Sequence, residues 1–299
     1  MAEKVESKKT IYRFDTYKKS SIMNNEKALE LKVEKIKEAI RAKESAVIAF
    51  SGGVDSVTLA SLAFEVLGNR ALAVTIDSEL FPSSQLENAI IGAHELGIQH
   101  EVISFSYLSI PYFTKNTINR CYFCKKALLE ALIEFAEKVG YKVVLEGTNV
   151  SEIKGKNRPG YRAVLEAGMK VFSPFVEFEV TKEEIRKIAS SRSLSSAQRP
   201  SAACLATRFP YGQVISKEEL RKVEMAEKYL TSLGFTQFRV RVHGNLARIE
   251  VISGEFEKAL LERERISTNL KNLGFEYISL DLEGFRSGSM DEPYQKKIH

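Results

Sequence analysis

The clearest change of hydrophobic period along the chain falls at residues 46–67. Ala46 to Phe50 form a short apolar run that reads as a buried strand, Ser51-Gly52-Gly53 interrupt it, and an apolar-periodic helix follows from Val54 to about Leu67. Ahead of it, apolar positions at Ala28, Leu29, Leu31, Val33, Ile36, Ala39 and Ile40 predict an amphipathic helix from about Glu26 to Ala42. Behind it the alternation continues. Strand Ala71–Ile76 is followed by a helix from Ser83 to about Leu96, stopped by Gly97, and by strand Glu101–Phe105. Helix Lys125–Val139, stopped by Gly140, leads to strand Lys142–Glu146. Strands alternating with helices at this spacing predict an α/β fold built on a doubly wound parallel sheet.

The pattern then loosens. Val150 to Phe175 reads as loop-rich, with Gly155, Pro159, Gly160 and Gly168. Thr181-Lys182-Glu183-Glu184 opens a helix with a good N-cap and an acidic first turn. Ser190 to Gly212 is irregular, and a domain boundary is expected near Gly212. The remainder reads as helix Ser216–Leu233, strands Phe238–Val242 and Leu246–Ile252, helix Glu255–Leu273 and strand Tyr277–Leu282. That order predicts a smaller α+β domain. The expected division is therefore a leader at 1–28, a main domain at 29–212 and a C-terminal domain at 213–299 for substrate contacts or oligomerisation.

Composition narrows the function classes. The 299 residues are 44% hydrophobic, enough for a sizeable core, and the net charge of +5 is too modest to announce a nucleic-acid partner. It suits a protein handling phosphorylated or carboxylated small molecules. No apolar run approaches the ~20 residues of a membrane span, and the lysine-rich leader lacks the apolar core of a secretory signal. A cytoplasmic address is expected, with Met23 as a candidate start. Three cysteines, an odd number, argue against a disulfide framework.

The glycine turn carries the first chemistry. A strand, a glycine turn and a helix N-terminus make an anion site, because the first N–H groups of a helix lack partners and carry partial positive charge. Gly52 and Gly53 let the backbone approach the bound group; Ser51 and Ser56 add hydroxyls, and Val54 begins the helix. Asp55 repels phosphate, so its natural use is through Mg2+ that the phosphates also ligate. The lysine of a Walker A loop is missing, and so is the dinucleotide glycine pattern. Ser51-Gly-Gly-Val-Asp-Ser56 instead resembles the PP-loop of the ATP pyrophosphatase superfamily, whose members cleave ATP between the α- and β-phosphates and adenylate an acceptor. Asp77 and Gly147-Thr148-Asn149 fall at strand ends, where open α/β sheets bind ligands.

The cysteines carry the second. Cys121-Tyr-Phe-Cys124 is flanked by Arg120, Lys125 and Lys126 at a helix start, which favours thiolate. Cys204 lies between Arg199 and Arg208. A redox pair would leave Cys204 idle, and no histidine completes a four-ligand zinc site. Three thiolates suit a [4Fe–4S] cluster whose fourth iron is open, against the plainer alternative of scattered, partly buried thiols.

Beyond the PP-loop, Glu146-Gly-Thr-Asn149, Ser173-Pro-Phe175, Thr181-Lys-Glu-Glu-Ile-Arg186 and Pro200-Ser-Ala-Ala-Cys-Leu-Ala-Thr-Arg-Phe-Pro-Tyr-Gly212 resemble the LarE family of PP-loop sulfur transferases. The resemblance extends through Phe238-Arg-Val-Arg-Val-His-Gly244, Ala247-Arg-Ile-Glu-Val251 and Asp281-Leu-Glu-Gly-Phe-Arg-Ser-Gly-Ser289. It implies ATP-dependent adenylation of a carboxylate of a pyridinium biscarboxylate mononucleotide, its replacement by a thiocarboxylate for the nickel-pincer cofactor of lactate racemase, and a homo-oligomer. Two versions of the family exist. In one, the cysteine matching Cys204 gives up its own sulfur and becomes dehydroalanine; in the other, it joins a Cys-x-x-Cys around a [4Fe–4S] cluster carrying an extra sulfide. Cys121 and Cys124 make this sequence similar to the second, with a sulfide donor as partner and Cys121, Cys124 and Cys204 as cluster ligands. A sulfide on the open iron would attack the acyl-adenylate.

Arg208, Arg239 and Arg241 are the candidates for gripping the anionic substrate, since guanidinium forks match phosphate and carboxylate. Arg239 and Arg241 alternate along one strand and share a face, where the alternative is a solvated charged surface. Glu227 is a candidate metal or pairing carboxylate, or a plain helix-surface charge; His243 reads as structural, and Lys154–Arg158 as a solvated loop. Rival functions are a cluster-dependent tRNA thiolase, disfavoured by the small charge excess and the absence of further cysteines, and a nucleotide-binding regulator without turnover, disfavoured by Asp55 and the grouped thiols. Ammonia-using amide synthetases of the superfamily would need no cysteine cluster.

Overall fold

The structure, a computed structural model, describes residues 26–154, 159–199, 203–286 and 288–292. The expected leader, the loop at 155–158 and residues 200–202 ahead of Cys204 thus lie largely or wholly outside the described residues.

The predicted strands become β1 (Ala46–Ala49), β2 (Ala71–Asp77), β3 (Gln99–Ser104) and β4 (Val143–Leu145), joined by a two-residue β5 (Val171–Phe172). They form one parallel sheet in the order β3-β2-β1-β4-β5. Strand β5 falls in the stretch read as loop, and two residues are too few to show a period. The helices around the sheet are α1 (26–41), α2 (Val54–Leu67), α3 (Ser83–Leu96), α4 (Pro111–Thr114), α5 (Arg120–Val139), α6 (Val150–Ile153), α7 (Pro159–Ala167), α8 (Pro174–Glu177) and α9 (Lys182–Ser191). Thr181 caps α9 in a reciprocal capping box with Glu184, as its sequence predicts.

Alternate residues of each strand point to opposite faces. Ala46 and Ile48 of β1 and Ala73 of β2 enter a core shared with Ile36 and Ile40 of α1, Val57 of α2 and Ile185 of α9. Val47, Val74 and Val144 enter the other core with Leu129 and Leu132 of α5. That second core continues through Leu205, Phe209 and Ile215 into the C-terminal part. Buried side chains therefore join the two sheets on both sides of Gly212.

The C-terminal part comprises α10 (Lys217–Ser232), β6 (Phe238–His243), β7 (Leu246–Val251), α11 (Phe256–Leu261), α12 (Arg263–Asn272) and β8 (Tyr277–Leu280). Strands β6 and β7 are antiparallel and β8 joins β7 in parallel. Two expectations are corrected. Helix α5 starts at Arg120 rather than Lys125, so both Cys121 and Cys124 lie within it, and the single helix expected at 255–273 is broken at Glu262, whose ψ is 6°.

Candidate active site

The PP-loop occupies the turn between β1 and α2. Gly52 has φ +72°, and a Cβ there would stand 2.5 Å from the Ala89 backbone nitrogen, so the position requires glycine. Gly53 caps α2 without a side-chain hydrogen bond, leaving the N–H groups of the first turn, Val54 to Ser56, for a ligand. The two serines hold the loop shape: the Ser51 N–H donates to Ser56 Oγ at 3.1 Å, and Ser56 Oγ donates to the Gly53 carbonyl at 3.0 Å.

In front of this turn lies a cleft of about 220 Å³ at the carboxyl ends of β1, β2 and β4. Ser51, Asp55, Ser56, Val74 to Ile76, Lys125, Glu146, Gly147, Thr148 and Glu152 line it. Gly147 permits the close approach of β4 to α2, since a Cβ would meet Asp55 Cβ at 3.3 Å. Buried Asn149 caps α6 by accepting from the Glu152 N–H at 3.2 Å and donates from Nδ2 to Asp55 Oδ1 at 3.2 Å. Asp77, by contrast, is exposed and does not line the cleft.

Two cations reach the phosphate end that the sequence did not mark for it. Lys182, the first residue of α9, ion-pairs with Asp55, and Arg199 donates to the Gly52 carbonyl at 3.2 Å. Lys182 read only as part of a helix cap, and Arg199 only as a neighbour of Cys204. The sequence signal for Lys182 is its place beside the cap, where α9 points at the loop.

At the cleft floor Glu146 is fully buried. It accepts from Lys125 at 2.7 Å, from Thr148 Oγ1 at 2.6 Å and from the Ser173 hydroxyl. Burial works to raise its carboxyl, but the charge of Lys125 and these hydrogen bonds outweigh it, and the net direction is down. Lys125 also ties the cleft to the cysteines. Cys121, Lys125, Leu128 and Leu132 follow one another at helical spacing on α5, and the last three line the cleft. Cys121 thus stands one helical turn, about 6 Å, beyond Lys125 along the same face.

Cys204 is brought to that end from another direction. The Leu205 N–H donates to the Leu80 carbonyl beyond β2 at 2.9 Å, and Arg120 Nη1 donates to the Ala206 carbonyl at 2.8 Å. The Arg120–Ala206 bond ties the Cys204 segment to the start of α5, and Cys124 and Cys204 pack against the same core. Among the described residues, however, no group of three His, Cys, Asp or Glu side chains is already closed around a metal position. The expectation of a favoured thiolate, made for Cys121 and Cys124, is corrected for Cys124. Burial pushes Cys124 well up and Cys204 up, outweighing the positive charge of Arg120 on both.

The predicted arginines adjoin the Cys204 segment in different states. Arg208 is buried and forms a bidentate pair with Glu227, with 2.8 Å contacts from both Nε and Nη2. Its Nη1 donates to the carbonyls of Ala203 (3.1 Å) and Cys204 (3.2 Å). Glu227 is therefore a pairing carboxylate rather than a plain helix-surface charge. Arg241 is buried against Glu250 at 2.9 Å and donates to the Thr207 carbonyl at 3.0 Å. Arg239 is half-buried, over the Phe285 ring at 5.1 Å, and makes no ion pair among the described residues. Burial, with the like charges of Arg208 and Arg241, pushes it down to about 10, still cationic at neutral pH. The face is packed rather than solvated, against the alternative reading; Arg239 donates to the Phe238 carbonyl but has no carboxylate partner among the described residues.

Comparison with known proteins places the chain in a family. The sequence profile of the NAD synthase family matches residues 23–155. An uncharacterized protein of Synechocystis sp. is 38% identical over 271 residues, covering 90% of this chain and all of the relative. The pyridinium-3,5-bisthiocarboxylic acid mononucleotide synthase of Lactiplantibacillus plantarum is 35% identical over 259 residues, 86% of this chain and 93% of that enzyme. An uncharacterized protein of Methanocaldococcus jannaschii is 36% identical over 261 residues, 87% of this chain and 98% of the relative. No helix among the described residues is long and apolar enough to cross a membrane. With a PP-loop cleft in the first half and near full-length similarity to the synthase, the chain belongs to the LarE family of PP-loop, ATP-dependent sulfur transferases.

Proposed function

We propose that this enzyme adenylates a carboxylate of pyridinium-3,5-biscarboxylic acid mononucleotide and converts it to a thiocarboxylate. The acceptor follows the name of the Lactiplantibacillus plantarum relative. The observation that carries the reading is helix α5, which presents a cleft-lining cation, Lys125, and the Cys121–Cys124 pair within one turn of each other. ATP and sulfur chemistry would then meet at one end of one cleft.

The chain's own groups divide the work. The free N–H groups of the first turn of α2 receive phosphate oxygens, and Ser51 and Ser56 keep that turn in shape. Asp55 would hold Mg2+, which neutralises phosphate charge when bound, and Lys182, its ion-pair partner here, offers its ammonium to the pyrophosphate. Backbone at Val74 to Ile76 frames the adenosine, and Gly147 to Asn149 border the acceptor. Arg239, with no carboxylate of its own, takes an anionic group of the substrate. Arg208, Glu227 and Arg241 are positioning residues that fix the Cys204 segment against α10 and β6.

Two features favour a [4Fe–4S] cluster on Cys121, Cys124 and Cys204. Arg120, next to Cys121, holds the Ala206 carbonyl two residues from Cys204, and it is a buried cation with no ion pair among the described residues, stacked on Tyr211 at 4.9 Å. A thiolate-bound cluster would supply the negative charge that this guanidinium lacks. When bound, the cluster would hold an extra sulfide as the nucleophile.

The test is incubation of the protein with ATP, Mg2+, the biscarboxylate mononucleotide and a sulfide source, read by mass spectrometry. AMP, pyrophosphate and a thiocarboxylate product in step are expected. ATP bound without AMP, or thiolation of tRNA in preference to the mononucleotide, would overturn the proposal.

A further inference from the structure

The segment that carries Cys204 is irregular yet packed inward. A short helical turn, Leu205–Arg208, is its regular part, and Leu205, Ala206, Arg208 and Phe209 are buried. Buried backbone outside a helix or strand ladder must find other partners for its carbonyls. Here side chains supply them. Arg208 and Arg241 hold the carbonyls of Cys204 and Thr207 from the C-terminal side. From the other side Arg120 donates to the Ala206 carbonyl, and Asn116 Nδ2 donates to the Pro210 carbonyl at 2.7 Å and the Phe209 carbonyl at 3.4 Å.

Asn116 links these donors to α5. It follows α4, is fully buried and has φ +49°, a left-handed conformation that glycine adopts with less strain. The backbone alone would call for glycine; the amide is what asparagine adds. A guanidinium only donates and a carbonyl only accepts, so the amide orientation is fixed: Oδ1 accepts from Arg120 Nη1 and Nδ2 faces Pro210. A carboxylate could not make the second bond, and glycine could make neither. The Asn116 carbonyl also accepts from the Gly212 N–H at 2.9 Å. One residue thus grips the Cys204 segment through side chain and backbone, and braces the arginine that begins α5 next to Cys121.

We propose that Asn116 is a positioning residue for sulfur transfer: through Arg120 and Pro210 it sets the Cys204 segment against the first turn of α5, and so fixes Cys204 relative to Cys121 and Cys124. This rests on the sulfur-transfer reading but not on which sulfur is transferred. A cluster on the three thiols and a donating Cys204 both need that placement.

The experiment compares the full chain with Asn116→Gly, which keeps the left-handed backbone and removes the amide, and with Phe275→Leu. Phe275 is buried ahead of β8, under the Lys222 ammonium at 4.0 Å, so its replacement loosens the C-terminal core and leaves the Asn116 bonds in place. Metal-free protein is alkylated with iodoacetamide and the modified cysteines are read by peptide mass spectrometry. In Asn116→Gly, half-buried Cys204 is expected to react about tenfold faster, the scale of one lost hydrogen bond to a charged group, while exposed Cys121 keeps its rate. Phe275→Leu should leave both rates unchanged. In anaerobically reconstituted Asn116→Gly, pyrophosphate release should stay within about twofold, because neither Asn116 nor Arg120 is among the described residues that line the ATP cleft. Single-turnover thiocarboxylate formation should slow about a hundredfold, as for an ångström-scale misplacement of reacting groups. An unchanged Cys204 alkylation rate would overturn the proposal, as would equal slowing of both chemical steps or the same pattern in Phe275→Leu, the marks of a merely structural residue. If the parent forms no thiocarboxylate, the sulfur-transfer reading fails separately. The ratio of Cys204 to Cys121 alkylation in Asn116→Gly then decides Asn116 alone.

Discussion

Glu227→Ala tests whether the Arg208–Glu227 pair holds the Cys204 segment. Both side chains are nearly closed to solvent, at 3% and 13% exposure, and two 2.8 Å bonds join them. Removing one partner of such a buried pair leaves an uncompensated charge and costs about 3–5 kcal/mol. Glu227 also accepts from the Val240 N–H at 3.0 Å, and losing that bond adds about 1 kcal/mol. The combined loss should lower the melting temperature by about 10 °C or more. Urea unfolding gives the free energy directly. Arg208→Met together with Glu227→Leu should recover most of the loss, because the cost lies in stranding a charge rather than in lacking a pair. A loss below about 1 kcal/mol for the single variant, the range of an exposed pair, would refute the reasoning and return Glu227 to the surface.

Other substitutions probe the cleft. Gly52→Ala forces a Cβ against the Ala89 backbone at a φ of +72°, so nucleotide binding by calorimetry should be lost while the remaining fold persists by circular dichroism. Lys182→Met removes the Asp55 partner and should raise the apparent KM for ATP about tenfold or more, on the scale of one charge-assisted phosphate contact, with the Mg2+ requirement retained. Glu146 has a lowered folded pKa, so its contribution is fully present above its ordinary value of 4.5 and drains away as pH falls through the folded value. Glu146→Gln should accordingly flatten the acid limb of the stability profile below about pH 4.5, measured by melts across pH. Gly284→Ala would bring a Cβ to 2.7 Å from the Val251 carbonyl at a φ of +71°, and should destabilise by about 2 kcal/mol or more in urea unfolding.

The sheet was legible because three of its strands, β1, β2 and β4, are apolar runs bounded by turn residues, and the helices between the strands end at Gly97 and Gly140 in left-handed conformations. What escaped the sequence depends on contacts between distant segments. Nothing local in Lys182 says that it meets Asp55, 127 positions away. The electrostatics of Cys124 were misread for the same reason. Arg120 and the helix start are visible in sequence, but the burial that overrides them comes from packing. Arg239 and Arg241 were placed correctly on one face. Their different fates follow from Glu250, which the β6–β7 register sets opposite Arg239 but whose oxygens are taken by Arg241 on one side and by Arg248 and Ser289 on the other.

The most direct measurement is of iron and acid-labile sulfide per chain in protein purified anaerobically, beside Cys121→Ala, with the intact mass taken after one turnover. The account predicts about four of each in the parent, their loss in Cys121→Ala, and an unchanged Cys204 after thiocarboxylate release. Iron-free protein after faithful reconstitution, with Cys204 converted to dehydroalanine, would contradict it. It would make Cys204 the sulfur donor and leave Cys121 and Cys124 without a part in the transfer.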